Sequence, residues 1–319
     1  MAKLAIGITI VESKKIMGKI NLYCPSSQKL IKAVAEKRDW KWNGKMLQED
    51  SMVQSNKSPI FAVADGVTLI VKPGNRYPCP SGAGRIAKII CSSLINNSEK
   101  EYHEFNLKGI QRSFYSANKE AGKYNQKRGR TKKTINYLDR DYFCATAALM
   151  VIKEKKLFYG VIGDSRVMVW DKSGQMKFKS VDQVAPIEKA VAAMVKNPQP
   201  QEKKVVQHKH FRNKVASNGA LSGYGVINGE KEALQYVESG VIDTEKGDRV
   251  FIYTDGFEPY FELAEFNDLF RKWPTKKEIL DFVKKFRKEN MPSNAKPDDL
   301  YKFLYKYTAE GSMTIISVV

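Results

Sequence analysis

Cysteine, histidine and acidic residues are all scarce in this 319-residue chain. The four cysteines, Cys24, Cys79, Cys91 and Cys144, are far apart and form no C-x-x-C pair. A disulfide framework is therefore not expected, and Cys91 and Cys144, in apolar surroundings, read as buried reduced thiols. Of the three histidines, His208 and His210 would face the same way on a strand, but no Cys or acid at metal-site spacing accompanies them. A zinc site is not expected. No apolar stretch approaches the ~18 residues of a membrane span. The run Leu4 to Val11 is short and lacks a small-residue cleavage site, so no secretory signal is expected and the chain reads as soluble and cytoplasmic. No Gly/Ser- or Pro-rich linker divides it. The deficit of acids, 35 Asp and Glu against 54 Lys and Arg, leaves a net charge of +19. Such an excess attracts nucleic acid, membrane surfaces or acidic and phosphorylated substrates without choosing among them.

What the chain does contain is a repeated pattern of uncharged strands that end on carboxylates. Ile60 to Ala64 is apolar, rich in β-branched and aromatic residues and without helical spacing, so it reads as a buried strand delivering Asp65 and Gly66 at its end. Taken singly, an Asp-Gly pair after a strand is a hairpin-turn signal. The pattern recurs, however, in Val250 to Phe257, which ends on Asp255 and Gly256, and in Leu157 to Arg166, which ends on Gly163 and Asp164. If those three strand ends converge, their carboxylates form a cluster that cannot be buried unpaired and that would favour hard divalent cations. Glu49 and Asp50 lie one hairpin's length upstream of Asp65, with Lys45 before them.

Around these strands the spacing predicts strands at Leu4–Val11 and Lys19–Cys24 and helices over 28–37, 83–95 and 105–124, the second of them capped by Ser81. Lys123 to Lys133 reads as a basic, Gly-containing loop. Phe143–Ile152 and Lys156–Ile162 form a hairpin, and Val167–Trp170 and Met176–Phe178 extend the meander. A helix over 188–196 follows Pro186, and the polar stretch 197–218 is expected as an exposed flap. Helices over 262–272, 276–289 and 298–307 precede a terminal strand, Met313 to Val319. Strands early, in the middle and last, joined largely by hairpins, argue for antiparallel α+β layers.

The order of these pieces resembles the metal-dependent protein serine/threonine phosphatases of type 2C, of the bacterial type. Lys45 with Glu49-Asp50, FAVADG at Phe61 to Gly66, ATAALMVI at Ala145 to Ile152, GDSR at Gly163 to Arg166, SVDQ at Ser180 to Gln183, GDRVFIYTDGF at Gly247 to Phe257 and the final MTIISVV come in that family's order. The resemblance covers residue 45 to the C-terminus, within a single domain over 1–319 whose first 40 residues form an extension of unclear role. It implies a four-layer α-β-β-α sandwich, two antiparallel β-sheets flanked by helices, with a two-metal site at one edge. Asp65 would bridge both metals, the Gly66 carbonyl would bind one, and Asp255 would hold the other. Glu49 and Asp50 would contact the site directly or through water. Asp164 matches a third, weaker metal position in some members. Lys45 stands where a phosphate-binding Arg is usual, which keeps the charge and loses the bidentate fork.

Three departures accompany the likeness. Gly66 is followed by Val67 rather than a second Gly, Gln183 replaces a usual His, and Gly311-Ser312 replaces an Asp-Asn that would supply another metal carboxylate. Glu310 could reach in for the missing Asp. The implied activity is hydrolysis of phosphoserine or phosphothreonine in proteins, acidic substrates being favoured by the charge. Two divalent cations, Mg²⁺ or Mn²⁺, about 3.5–4 Å apart, would activate a water. A pseudophosphatase that binds partners through the same surface and a nucleic-acid-binding module remain the alternatives.

Overall fold

The computed structural model describes residues 16–37, 41, 48–72, 74–195, 200–292 and 296–318. Lys45 and the expected strand Leu4–Val11 lie outside the described residues. In chain order the elements are β1 (Ile16–Cys24), α1 (Gln28–Lys37), β2 (Asp50–Gln54), β3 (Ile60–Gly66), α2 (Gly82–Lys100), α3 (Leu107–Lys127), β4 (Ala145–Lys153), β5 (Lys156–Ile162), β6 (Arg166–Trp170), β7 (Met176–Lys179), α4 (Ala185–Met194), α5 (Pro200–His210), β8 (Glu238–Asp243), β9 (Arg249–Tyr253), α6 (Glu258–Phe261), α7 (Ala264–Asp268), α8 (Lys276–Glu289), α9 (Pro297–Thr308) and β10 (Gly311–Val318). The strands form two antiparallel five-stranded sheets, ordered β1-β10-β9-β6-β7 and β2-β3-β4-β5-β8. No helix among the described residues is long and apolar enough to cross a membrane.

Strand alternation explains how the layers stack. On β3, Ile60, Ala62 and Ala64 face α2 and α3, where Ile86, Ile90, Leu94, Ile110 and Phe114 are buried. Phe61 and Val63 face the other sheet and pack with Val167, Val169, Val250 and Ile252. Because side chains alternate, a strand apolar on both faces has to be covered on both, which makes a four-layer sandwich. The outer face of the first sheet is covered by an aromatic layer of Phe257, Tyr260, Phe266 and Phe270, with Ile279 and Val283 of α8. Helix ends follow ordinary chemistry: the Ser81 hydroxyl accepts the Gly84 N–H at 3.0 Å, and Thr275 with Glu278 forms a capping box.

Several expected elements take a different form. The helix expected over 262–272 is reduced to α7 and a 3₁₀ turn at Leu269–Arg271, with the separate short helix α6 just before it. Rings explain why the segment is not one helix: at about 100° per residue, positions 257 and 260 fall opposite 266 and 270, so a single straight helix cannot bury all four. The expected flap over 197–218 contains α5, and His208 on it is buried rather than displayed. A helix turns His208 and His210 to different sides, removing the shared face a strand would give them. The basic stretch 123–133 is not a loop throughout, since α3 continues to Lys127. The Arg130 guanidinium lies 3.9 Å over the Phe143 ring instead of facing solvent. β1 and α1, within the expected N-terminal extension, join the fold: β1 pairs with β10 along its length.

Candidate active site

Five chain segments bring carboxylates to one edge of the sandwich, and the strand register accounts for each. Asp50 on β2 lies opposite Asp65 on β3, and Asp65 lies opposite Thr146 on β4. Directly opposed residues point to the same side of a sheet. By alternation Asp65 shares the face of Phe61 and Val63, so its carboxylate enters the gap between the sheets. In the other sheet Tyr253, the last residue of β9, is opposite both Met313 of β10 and Arg166 of β6. The residues flanking those strand ends, Asp255, Glu310 and Asp164, are thereby brought to the same end. Thr254 joins the two sheets. Its hydroxyl donates to Asp50 Oδ2 at 2.7 Å and accepts the Ser312 N–H at 2.8 Å.

The two Asp-Gly pairs are not hairpin turns. A Cβ on Gly66 would lie 2.6 Å from the Ala83 carbonyl oxygen and 2.9 Å from that of Glu49, and one on Gly256 would lie 1.9 Å from the Glu310 carbonyl oxygen. Glycine is required at both positions because backbone of another segment passes against it. These close approaches bring Glu49 beside β3 and Glu310 beside the turn after β9.

Each carboxylate has a distinct set of partners. Glu49 is buried, and its Oε1 accepts from Tyr77 at 2.8 Å and from Ser81. Glu310 Oε1 accepts from the Tyr23 hydroxyl at 2.5 Å and Oε2 from the Glu49 N–H at 2.8 Å. Asp50 and Asp65 face one another across the β2–β3 register, and the charge of Asp50 raises the Asp65 carboxyl. Asp164 Oδ1 is buried with no hydrogen-bond partner. Among the described residues, no three His, Cys, Asp or Glu side chains form a ready-made metal cluster. Glu49, Asp65, Asp255, Glu258 and Glu310 line a cavity of about 370 Å³ together with Lys204 and Lys306. α1 supplies an apolar wall through Leu30, Ile31 and Val34.

The electrostatics follow from this crowding. Burial, then the charges of neighbouring carboxylates, raise Asp50, Asp65 and Asp255 well above the ordinary carboxylate range. Glu310 rises from 4.5 to about 7, chiefly through burial, although its hydrogen bonds to Tyr23 and to the Glu49 backbone pull the other way. A carboxyl whose folded value lies above its unfolded one stabilises the fold below the unfolded value and loses that contribution as pH rises through the folded value. The metal-free protein is therefore expected to lose stability between about pH 4.5 and 7, by at most about 3 kcal/mol from Glu310. The thermal midpoint of metal-stripped protein at pH 5, 6, 7 and 8 checks this. A midpoint that climbs steadily across that range would contradict the crowding described.

Some contributors carry no motif that sequence reasoning could detect. Thr254, Thr146, Tyr23, Tyr77 and Ser81 serve the acids from ordinary polar positions. Gln183, where the resembled family has His, stitches loops together: Oε1 accepts the N–H groups of Gly163 and Gly225 at 3.1 and 3.2 Å, and Nε2 donates to the Tyr236 carbonyl at 2.8 Å. Arg166 of GDSR is buried, with Nη2 2.5 Å from Asp182 and Nη1 donating to the Val181 carbonyl at 2.6 Å. Gly311 and Ser312 place no carboxylate at the site; Glu310, just before them, does.

A sandwich of two antiparallel sheets with acids gathered at one edge defines the architecture of metal-dependent phosphatases. The sequence matches the profile of the protein phosphatase 2C family over residues 43–304. The chain belongs to that family, whose members are metal-dependent serine/threonine phosphatases. Among solved structures, it is similar to the catalytic domain of the serine/threonine protein phosphatase PstP in complex with two manganese ions. That likeness has a TM-score of 0.57 and 11% identity and covers 96% of this chain and 99% of that one. The Mycobacterium tuberculosis PstP/Ppp structure gives a TM-score of 0.51 and 12% identity, covering 95% and 98%. PppA of Pseudomonas aeruginosa, a regulatory component of the type VI secretion system, gives 0.51 and 11%, covering 96% and 100%. At such identities the likeness is one of fold. No curated protein sequence matches.

Proposed function

We propose that the chain, acting as one phosphatase domain, hydrolyses phosphoserine and phosphothreonine in proteins with the help of Mg²⁺ or Mn²⁺. The observation that carries the reading is the crowding of acids around Asp65, which Asp50, Asp164 and Glu310 all influence by charge and which shares its cavity with Asp255 and Glu310. The donors suit the ions: all are oxygens, which hard divalent cations prefer over zinc's usual nitrogen and sulfur partners. The unpartnered buried Asp164 Oδ1 is an acceptor that a cation or its hydration shell would satisfy.

In this reading Asp65, the Gly66 carbonyl and Asp255 would hold two ions, Glu49, Asp50 and Glu310 would complete the surroundings, and Asp164 would serve a third, weaker site. When bound, such ions supply Lewis-acid activation of water and neutralise phosphoryl charge. The chain's own work is to hold the acids. Thr254 orients Asp50, Tyr23 and the Glu49 N–H orient Glu310, and Tyr77 and Ser81 turn Glu49. Lys45 meets the phosphoryl group of the substrate. The excess of basic residues favours acidic phosphoproteins, an electrostatic preference that salt should weaken.

The test is phosphate release from a phosphothreonine peptide by metal-stripped protein titrated with Mn²⁺, alongside thermal stabilisation by Mn²⁺. Turnover that rises and saturates with Mn²⁺ is expected. A second reading has one observation in its favour: both oxygens of Glu310, the acid next to the missing Asp, are already committed to Tyr23 and Glu49. Stabilisation by Mn²⁺ without turnover at any concentration would identify a pseudophosphatase, and neither response would remove the metal-site reading altogether.

A further inference from the structure

α5, in the segment between β7 and β8, contributes Lys204 to the lining of the cavity, and a buried ionic cluster anchors the helix. His208 Nδ1 is 2.7 Å from Asp141 Oδ2, and Arg212, just past the helix, is bidentate on Asp141 through Nη1 at 2.8 Å and Nη2 at 2.6 Å. All three side chains are almost fully buried, exposed by only 4%, 6% and 1% for His208, Asp141 and Arg212. Lys204 precedes His208 by four residues, one helical turn, so the two lie on the same face of α5. The clamp that buries His208 therefore turns Lys204 inward. Its Nζ donates to the Thr68 carbonyl at 3.3 Å, in the loop that follows Gly66. Lys204 lines the cavity with Glu49, Asp65, Asp255 and Glu310. Its charge reaches Glu49 and Glu188, lowering both carboxyls against the larger effect of burial. Lys306, the other lysine among the described residues lining the cavity, pairs with Glu262 at 2.7 Å.

We infer that Lys204 is a substrate-positioning cation of this site, binding the phosphoryl oxygens of the phosphomonoester, and that the Asp141–His208–Arg212 clamp holds it in place. The inference rests on the phosphatase reading for its substrate, but it makes a separate claim about phosphate. A lysine ammonium is a compact point charge that meets phosphoryl oxygens in any rotation about the ester bond. Its ammonium reaches the Thr68 carbonyl, two residues past Gly66, and lines the same cavity as Asp65 and Asp255, so a phosphoryl group drawn to cations held by those acids would come within its reach. The stretch was expected as an exposed polar flap, in which Lys204 has no distinguishing motif; the clamp, formed from residues 67 and 71 positions apart in sequence, is what gives it a role.

The test compares the full-length wild type, Lys204→Gln, Lys204→Arg and Lys203→Gln, all loaded with Mn²⁺. Lys203 is exposed on the same helix and controls for its general charge. Two readouts are taken: KM and kcat for a phosphothreonine peptide, and the dissociation constant of inorganic phosphate by isothermal titration. Lys204→Gln is expected to raise both KM and the phosphate constant about tenfold, the size carried by one charge-assisted hydrogen bond, with kcat within about threefold of wild type. Lys204→Arg should recover most of the loss, and Lys203→Gln should resemble wild type. Equal phosphate affinity in wild type and Lys204→Gln, or the same loss in Lys203→Gln, overturns the inference. If the wild type shows no turnover, the phosphatase reading fails while the titration still decides for Lys204: a tenfold loss of phosphate affinity supports it, and a wild type that binds no phosphate overturns it.

Discussion

Asp65→Asn is expected to lower metal-dependent phosphate release by roughly a thousandfold, several kcal/mol of lost transition-state stabilisation, while the metal-free variant melts at a higher temperature than the wild type above pH 7. The two effects have one cause. Asp65 sits on the inter-sheet face of β3, opposite Asp50 in the register, and its carboxyl is pushed up first by burial and then by the charges of Asp50, Asp164 and Glu310. Without a cation those charges repel one another, and ionising Asp65 costs the fold stability. An Asn of the same shape fills the same space and removes the repulsion. With the cation, the same negative charge is what binds, and the amide supplies far less. Sites assembled for chemistry commonly carry this opposition between stability and activity. Turnover assays and melting curves on metal-stripped and Mn²⁺-loaded protein read both halves. Retention of wild-type turnover by Asp65→Asn would exclude a bridging role for this carboxylate.

Part of this arrangement is legible along the chain because it is built from local patterns. The apolar runs ending at Asp65 and Asp255 form β3 and β9, the Ser81 cap begins α2, and the Thr275 to Glu278 interval opens α8. Strand and helix periods and caps are properties of neighbouring residues, so they are written in short windows of sequence. Partnerships between distant segments are not written there. Tyr23 meets Glu310 across 287 residues, and Thr254 meets Asp50 across 204; nothing in either neighbourhood selects the other. The Asp-Gly pairs illustrate the same limit. Their composition is that of a turn, and only the backbone passing within van der Waals distance of each glycine shows why no other residue fits. The stretch over 197–218 misleads for a related reason. Its polarity and prolines signal exposure, whereas three charged or polar side chains that would individually stay in water are buried together because they satisfy one another.

That buried cluster yields the largest stability effect to expect outside the candidate site. Asp141→Ala should destabilise the protein by about 3–5 kcal/mol, the cost of leaving a buried charge without its partner. Burial alone would raise the Asp141 carboxyl, but the Arg212 guanidinium and the His208 hydrogen bond outweigh it and hold it well below the usual carboxylate range. Its stabilising contribution is present above the ordinary aspartate value near 4 and is lost as pH falls below it. His208, pushed down to about 4 mainly by burial, is neutral at pH 7. Since the ionised Asp141 only accepts, the His208 proton that meets it must sit on Nδ1. The cluster at pH 7 is thus one anion, one cation and one neutral donor, and removing Asp141 strands Arg212, whose side chain is 1% exposed. Denaturant unfolding at pH 7 measures the loss. The double variant Asp141→Ala with Arg212→Met removes both charges and is expected to recover much of it, as replacement of a buried pair by apolar groups often does. A double variant no more stable than Asp141→Ala alone would show that the cost lies in the space vacated by the carboxylate and not in the stranded charge.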